Sequence, residues 1–204
     1  CCEEGRLVKF TILFGSPRPK GNTAALLAPF LDECAGMGVE TRRIDLYQQD
    51  LRPCVGCMAC QNCLDGLGCV QKDDVGPDFE EMLSGDLLVF ATPIYSWYCT
   101  APMKALMDRV IYAGVKKYSS EKGMSLLEGM RVASIATCGH PSERGAELWA
   151  EGLKRWCGHG KMEYIGIFCR CDPGRQKPFM DEARERDVRD YAQALRLAVR
   201  VGRP

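Results

Sequence analysis

The chain has 204 residues, enough for one domain with a substantial buried core. Its 27 Lys and Arg balance 27 Asp and Glu, so no global basic field points to nucleic acid, and no apolar run approaches membrane-spanning length. The chain is too large for a small disulfide scaffold despite its 13 cysteines, but five of them fall between positions 54 and 69, which reads as metal or redox chemistry in a reducing cytoplasm. The opening residues, Cys1 to Arg6, lack the basic-then-apolar order of a signal peptide. They also lack an initiating Met, so a trimmed start is expected.

Strand-like and helix-like segments alternate along the chain. Leu7–Phe14 is an apolar strand interrupted by Lys9 and Thr11, and Ala24–Met37 is a helix. Val39–Leu46 reads as a second strand. Residues 50–72 are rich in Cys and Gly and look irregular. Phe79–Ser84 is helical, with Pro77 tolerated in its first turn. Asp86–Ala91 carries the continuous run Leu87-Leu88-Val89-Phe90, as a strand buried on both faces should. Thr100 is placed to cap a helix over Ala101–Tyr112. Val115–Met130 reads as a loop or mobile lid, Arg131–Thr137 as a fourth strand, Glu143–Cys157 as a helix and Met162–Phe168 as a fifth strand. Arg170–Pro178 reads as a polar loop. Asp181–Val201 is a long helix with Ala183, Val188, Tyr191, Ala194, Leu195 and Ala198 as its apolar positions. This alternation predicts an α/β fold, a parallel sheet with helices on both faces. Ligands in such sheets sit outside the carboxyl ends of the strands, at the switch point of the strand order. The turns Gly15–Thr23, Thr92–Trp97 and Cys138–Pro141 all fall on that edge.

The turn Gly15-Ser16-Pro17-Arg18-Pro19-Lys20-Gly21-Asn22-Thr23 links a strand to a helix and suits an anion. Backbone N–H groups at a helix start point outward and the helix dipole favours negative charge there. Ser16, Asn22 and Thr23 add hydrogen-bond donors, and Arg18 adds a charge-assisted one. A solvated turn with an ordinary cap is the alternative; the convergence of Gly, Arg, Asn and Thr at one strand end favours the phosphate reading. The turn matches neither the ATP nor the dinucleotide glycine fingerprint. Further on, Cys54, Cys57 and Cys60 are spaced C-x2-C-x2-C. Thiolates three apart in an irregular loop can wrap an iron–sulfur cubane; free thiols without a cluster are the second reading, and a four-thiolate zinc site, the metal alternative, is the third. The [4Fe–4S] reading leads, and Cys63 and Cys69 compete as fourth ligand. Cys34, Cys99, Cys157, Cys169 and Cys171 read as small apolar fillers.

The loop Gly15–Thr23, the stretch Ala91-Thr92-Pro93-Ile94-Tyr95-Ser96 and the stretch Lys104-Ala105-Leu106-Met107-Asp108-Arg109 together resemble the NAD(P)H-dependent FMN reductases of flavodoxin-like fold. The cluster Cys54-Val55-Gly56-Cys57-Met58-Ala59-Cys60 is similar to that of their iron–sulfur flavoprotein branch. The resemblance implies strand order 2-1-3-4-5 and one FMN-binding domain over 1–204, with the cysteine-rich loop at about 50–72. It implies an FMN-dependent oxidoreductase, fed by NAD(P)H or a small electron carrier. Ser16, Arg18, Gly21, Asn22 and Thr23 would hold the phosphate. Pro93, Ile94, Tyr95, Ser96 and Trp97 would meet the ring, the N–H groups of the last three facing its polar edge, and Cys138 and Gly139 are further lining candidates. Cys69, after Gly66-Leu67-Gly68, looks like the setting of the family's fourth cluster ligand beside Cys54, Cys57 and Cys60. A homodimer or homotetramer is the implied assembly. A non-enzymatic flavodoxin-type electron carrier is the rival reading, although such carriers are commonly acidic and this chain is balanced.

Overall fold

The computed structural model describes residues 6–117, 123–174 and 176–200. The expectation about the chain start therefore falls largely outside the described residues, as does Val201 at the end of the last predicted helix. In chain order the elements are β1 (Lys9–Phe14), α1 (Asn22–Gly36), β2 (Glu40–Asp45), α2 (Val75–Ser84), β3 (Leu87–Pro93), α3 (Ala101–Gly114), β4 (Val115–Lys116), β5 (Met124–Ser125), β6 (Arg131–Cys138), α4 (Ser142–Gly145), α5 (Glu147–His159), β7 (Glu163–Cys171) and α6 (Glu182–Arg200). Single turns of 3-10 helix occupy Leu46–Gln48 and Ala59–Asn62.

Five strands form one parallel sheet in the order β2-β1-β3-β6-β7, which is 2-1-3-4-5 when these five are counted alone. The expected topology is therefore observed. All seven residues of β3 and all eight of β6 are buried. Their side chains alternate between two cores. Leu88, Phe90, Val132 and Ala136 pack toward α2, α3 and α5, with Trp149, Leu153, Phe79 and Val110. Leu87, Val89, Ala91, Ala133 and Ile135 pack toward α1 and α6, with Leu26, Phe30, Val188 and Leu195. A strand buried on both faces has no polar side to alternate with, which is why these segments read as continuous apolar runs.

Several boundaries differ from the expectation for physical reasons. The helix expected over Glu143–Cys157 is two helices, α4 and α5, broken at Ala146 with φ −131°. Gly145 abuts the β6 end so closely that a Cβ there would lie 3.1 Å from Cys138 Sγ. The fifth strand runs on to Cys171, because Ala136, Thr137 and Cys138 of β6 continue to offer partners. The segment after α3 is not a lid where it is described: β4 and β5 pair antiparallel, Lys116 and Leu127 are fully buried and Met130 nearly so. Residues 118–122 of that segment lie outside the described residues. On α6 the buried positions are Val188, Ala192, Leu195 and Val199, while Ala183 and Ala194 are exposed. The helix turns a face one position away from those small residues, toward Phe168 and α1.

Asp78, in the first turn of α2, is 6% exposed and its Oδ2 has no hydrogen-bond partner among the described residues. Burial, helped by the neighbouring Asp74 and opposed by Arg42, pushes its carboxyl up to about 6. A carboxyl raised on folding binds its proton more tightly in the native state, so its contribution to stability declines as pH rises through that value. Asp78→Asn is expected to raise the urea midpoint at pH 8, with the gain shrinking as pH falls below about 6; a gain that grows toward acid would contradict the assignment.

Candidate functional site

The switch point of the sheet lies between β1 and β3, whose carboxyl ends lead into the first two predicted turns. At the end of β1, Gly15 N–H donates to the Ala91 carbonyl of β3 at 2.8 Å. The Gly15 carbonyl accepts from Thr100 Oγ1 at 2.7 Å. A Cβ on Gly15 would sit 2.8 Å from Met103 Cε and 2.9 Å from Thr100 Oγ1, so only glycine allows this approach of β1 to α3. Thr100 was expected to cap α3. Its side chain makes no cap bond and instead ties the helix entry to the β1 turn.

Ser16 folds the turn on itself: its Oγ accepts from Arg18 N–H at 3.2 Å. Gly21 N–H donates to the Arg18 carbonyl at 3.0 Å. The first intrahelical bond of α1 runs from Ala25 N–H to the Gly21 carbonyl, and the Gly21 position makes no side-chain cap. The N–H groups of Asn22, Thr23 and Ala24 are thus left without an intrahelical acceptor. The hydroxyl and amide side chains expected to help them are turned elsewhere. Asn22 Nδ2 donates to Asp172 at 3.0 Å, and Thr23 shares a buried 2.8 Å hydrogen bond with Thr137 Oγ1 of β6. What faces outward at this helix start is backbone, with the exposed Arg18 folded against Gly21.

Beyond β3 the chain makes a tight turn. Ile94 N–H donates to the Thr137 carbonyl, and Tyr95 and Tyr98 exchange both backbone bonds, at 2.9 and 3.0 Å. Ser96 and Trp97 take φ values of +49° and +63° at its tip, a mirror-image turn of the kind usually built from Gly or Asn. Such left-handed residues cluster at functional sites, where the surroundings hold them in place. The Tyr95 N–H is consumed inside the turn, which leaves those of Ser96 and Trp97 at its tip. Trp97 is fixed from two sides: its Nε1–H donates to the Arg144 carbonyl at 3.0 Å and its ring stacks on His140 at 6.1 Å. Ile94, Ser96, Trp97, Cys138, Gly139, His140 and Gly145 line one open cleft of about 180 Å³. Pro93 ends β3, buried and in register with Thr137. Tyr95 turns outward toward Tyr47, whose hydroxyl is pushed up by burial and by Tyr95 while Thr100 acts in the opposite direction. Tyr47 stands after β2 and has no motif to announce it. At the inner wall, Cys138 Sγ lies 3.5 Å from Cys169 Sγ and donates to the His140 carbonyl at 3.0 Å.

The cysteine loop has almost no regular structure, and buried side chains hold it instead. Arg109 of α3 pairs with Asp73, the two side chains 1% and 0% exposed. Burial works against the Asp73 carboxylate, but Arg109 and the N–H groups of Arg52 and Val75 hold it below the usual carboxylate range. Arg109 also reaches the Arg52 carbonyl at 3.3 Å and Cys69 Sγ at 3.1 Å. Lys116 is fully buried and donates to the carbonyls of Cys60 and Gly66, at 3.1 and 2.7 Å. Gln61 spans the carbonyls of Tyr112 and Val115. These contacts close a narrow recess lined by Cys54, Cys57, Cys60 and Cys69 together with Arg109, Gln71 and Tyr112. Cys63 is not in its lining. It is packed on Gly68, where a Cβ would come within 2.4 Å of Cys63 Cβ. Among the described residues, no three His, Cys, Asp or Glu side chains converge as they would on one metal ion. The four thiols ring a space rather than meet at a point. Arg109 ends the Lys104–Arg109 stretch of the resemblance, but nothing in that stretch ties it to the cysteines; Lys116 carries no sequence motif, and its strand position reads as ordinary packing until the loop is folded over it.

A doubly wound parallel sheet with an uncapped helix start at its switch point defines the class to which this protein belongs: α/β proteins that seat a ligand on the carboxyl edge of the strands. The chain is a member of the family described as flavodoxin-like fold, whose model matches residues 8–195. It is 39% identical over 95 residues to an iron–sulfur flavoprotein of Methanocaldococcus jannaschii, covering 47% of this chain and 48% of that one. It is 26% identical over 159 residues to the iron–sulfur flavoprotein of Methanosarcina thermophila, covering 78% of each. The first of these matches thus spans about half the relative's length. Among solved structures, an FMN-dependent NADH-azoreductase from Bacillus anthracis in complex with FMN superposes with TM-score 0.66 at 16% identity, covering 93% of this chain and 99% of that one. No helix among the described residues is long and apolar enough to cross a membrane.

The tie between β1 and α3 is testable by itself. Thr100→Val keeps the side-chain shape and removes the donor to the buried Gly15 carbonyl. The expected cost is about 1–3 kcal/mol, seen as a lower urea midpoint with an unchanged slope; wild-type stability would show that the carbonyl finds another partner.

Proposed function

We propose that this protein is an FMN-dependent oxidoreductase that takes electrons from NAD(P)H or a small electron carrier. The observation that carries the reading is an uncapped α1 start after β1 and a cleft walled by Ile94 and Trp97 after β3, both on the carboxyl edge of one parallel sheet. The residues fit the cofactor. Gly15 lets the β1 turn pack against Thr100 and Met103 of the α3 entry, and the N–H groups of Asn22, Thr23 and Ala24 supply donors for a phosphate. Arg18, exposed beside them, adds a charge-assisted contact. Ile94 and the clamped Trp97 supply an apolar wall, and the backbone N–H groups of Ser96 and Trp97 at the tip of the turn would serve as donors to polar ring atoms. When bound, FMN supplies the exchange between two-electron and one-electron chemistry. The protein's part is to anchor the phosphate, hold the ring against the turn and limit water at its face. No side chain is required as acid or base.

The four-cysteine recess supports a [4Fe–4S] group held by Cys54, Cys57, Cys60 and Cys69. Seating it means parting the loop, whose outer side, Val55 to Met58, is exposed. The names of the two curated relatives agree with a flavin and a cluster in one chain. The described cysteines all stand as free thiols, which suits a reducing cytoplasm. A homodimer or homotetramer remains the assembly this reading carries with it.

Titration of the apoprotein with FMN, followed by quenching of flavin fluorescence, tests the cradle. Arg18→Ala is expected to raise Kd roughly tenfold or more, since a hydrogen bond to a charged group is worth about 1.5–3 kcal/mol; equal constants would remove Arg18 from the site. Anaerobic stopped-flow tests the reaction class. NADH or NADPH is expected to bleach the flavin band. Bleaching by reduced ferredoxin alone would favour a non-enzymatic electron carrier.

A further inference from the structure

The cysteine recess contains a cation that neither its spacing nor its cluster chemistry calls for. Arg109 is buried on α3 and lines the recess with the four thiols. One end of its guanidinium is occupied by Asp73 and the Arg52 carbonyl. The other end, Nη2, donates to Cys69 Sγ at 3.1 Å. Its Nε is buried without a hydrogen-bond partner among the described residues. A buried N–H left unpaired carries a desolvation cost, so its presence beside the thiols marks a place built for an acceptor. Cys63 has none of these contacts. Its Sγ is 3.5 Å from the Asp65 carboxylate, and the buried cation near it is Lys116, whose hydrogen bonds go to the carbonyls of Cys60 and Gly66.

We propose that Arg109 is the positioning residue that commits Cys69, rather than Cys63, to the set of four thiolates, and that its charge raises the reduction potential of the cluster they hold. The inference rests on the cluster reading above. The physical basis is twofold. A guanidinium presents donors in a rigid fork, so anchoring one end on Asp73 fixes where the other end points. A sulfur-ligated cluster gains negative charge on reduction, and a hydrogen bond or cation beside a ligand sulfur favours the more negative state. Asp73 offsets the charge of the pair as a whole, but it is held through Nη1, and Nη2 of the same delocalised cation donates to Cys69 Sγ. No electron source beyond the proposed donor is needed, because only the equilibrium position of a one-electron reduction changes.

The test uses the full chain, reconstituted anaerobically with iron and sulfide, and reads two quantities other than turnover. The first is iron and acid-labile sulfide per chain. Cys63→Ser is expected to match wild type, and Cys69→Ser to lose the cluster; iron kept in Cys69→Ser but lost in Cys63→Ser would overturn the selection. The second is the cluster midpoint potential, followed by electron paramagnetic resonance during a reductive titration. Arg109→Gln removes the charge but keeps a polar side chain. It is expected to make reduction at least tenfold less favourable, a fall of about 59 mV or more for one electron. Arg109→Lys keeps the charge and loses the fork, so it should fall by less, and it reports on the same question if the Gln variant does not fold. Wild-type potentials in the folded Arg109 variants would overturn the tuning role while leaving the cluster standing. Absence of iron in the wild type would remove the cluster reading and this inference together, whereas the FMN titration above is decided separately.

Discussion

Strand β3 is buried along its whole length, and the rest of the molecule is arranged to make that possible. Seven successive residues with no solvent face need a strand on each side and a helical layer above and below. β1 and β6 supply the ladders, α2, α3 and α5 one layer, and α1 and α6 the other. Parallel neighbours require crossover connections, and these are right-handed. The chain therefore winds outward from the centre in both directions, and the strand order reverses between β1 and β3. The cleft at their carboxyl ends is a geometric consequence of burying the central strand, before any functional residue is considered.

The two halves of the candidate site solve different problems. At the switch point, regular structure does most of the positioning. Backbone bonds between Gly15 and Ala91, and between Ile94 and Thr137, seat both turns on the sheet, and one hydroxyl, that of Thr100, locks the β1 turn to α3. The cysteine loop has no such ladder to lean on. Buried cations take over the task, Lys116 satisfying loop carbonyls and Arg109 linking Asp73 to the thiols. A buried charge is costly unless it is paired and hydrogen-bonded. An arginine committed to both a carboxylate and a thiol is consequently hard to displace, and it gives an otherwise irregular loop a defined shape.

Local chemistry made part of this visible beforehand. The run Leu87-Leu88-Val89-Phe90 announced a central strand because apolar continuity over that length has few other uses. The turn Gly15–Thr23 announced a ligand edge because glycines, hydroxyls and a cation at one strand-to-helix junction are an unusual combination. The hydroxyls and amide in that turn misled in detail. Asn22 and Thr23 point to Asp172 and Thr137, partners that arrive 150 and 114 residues later. Thr100 looked like a helix cap because Thr before an apolar helix often is one. The approach of β1 recruited it instead. The division at Ala146 was hidden because it follows from Gly145 pressing on Cys138, a contact across the sheet end.

The sequence by itself determined the alternation of strands and helices, the strand order through its family resemblance, the position of the candidate phosphate turn and the spacing of Cys54, Cys57 and Cys60. All of these are read from residues close together in the chain. Tertiary structure alone decided that Cys63 packs on Gly68 outside the recess, that Tyr47 stands beside Tyr95, and that Arg109 and Lys116 are buried against the cysteine loop. The reason is that hydrogen bonding and burial act through space. A buried arginine or lysine is tolerable only where partners from distant segments converge on it, and that convergence exists only once the sheet has brought those segments together.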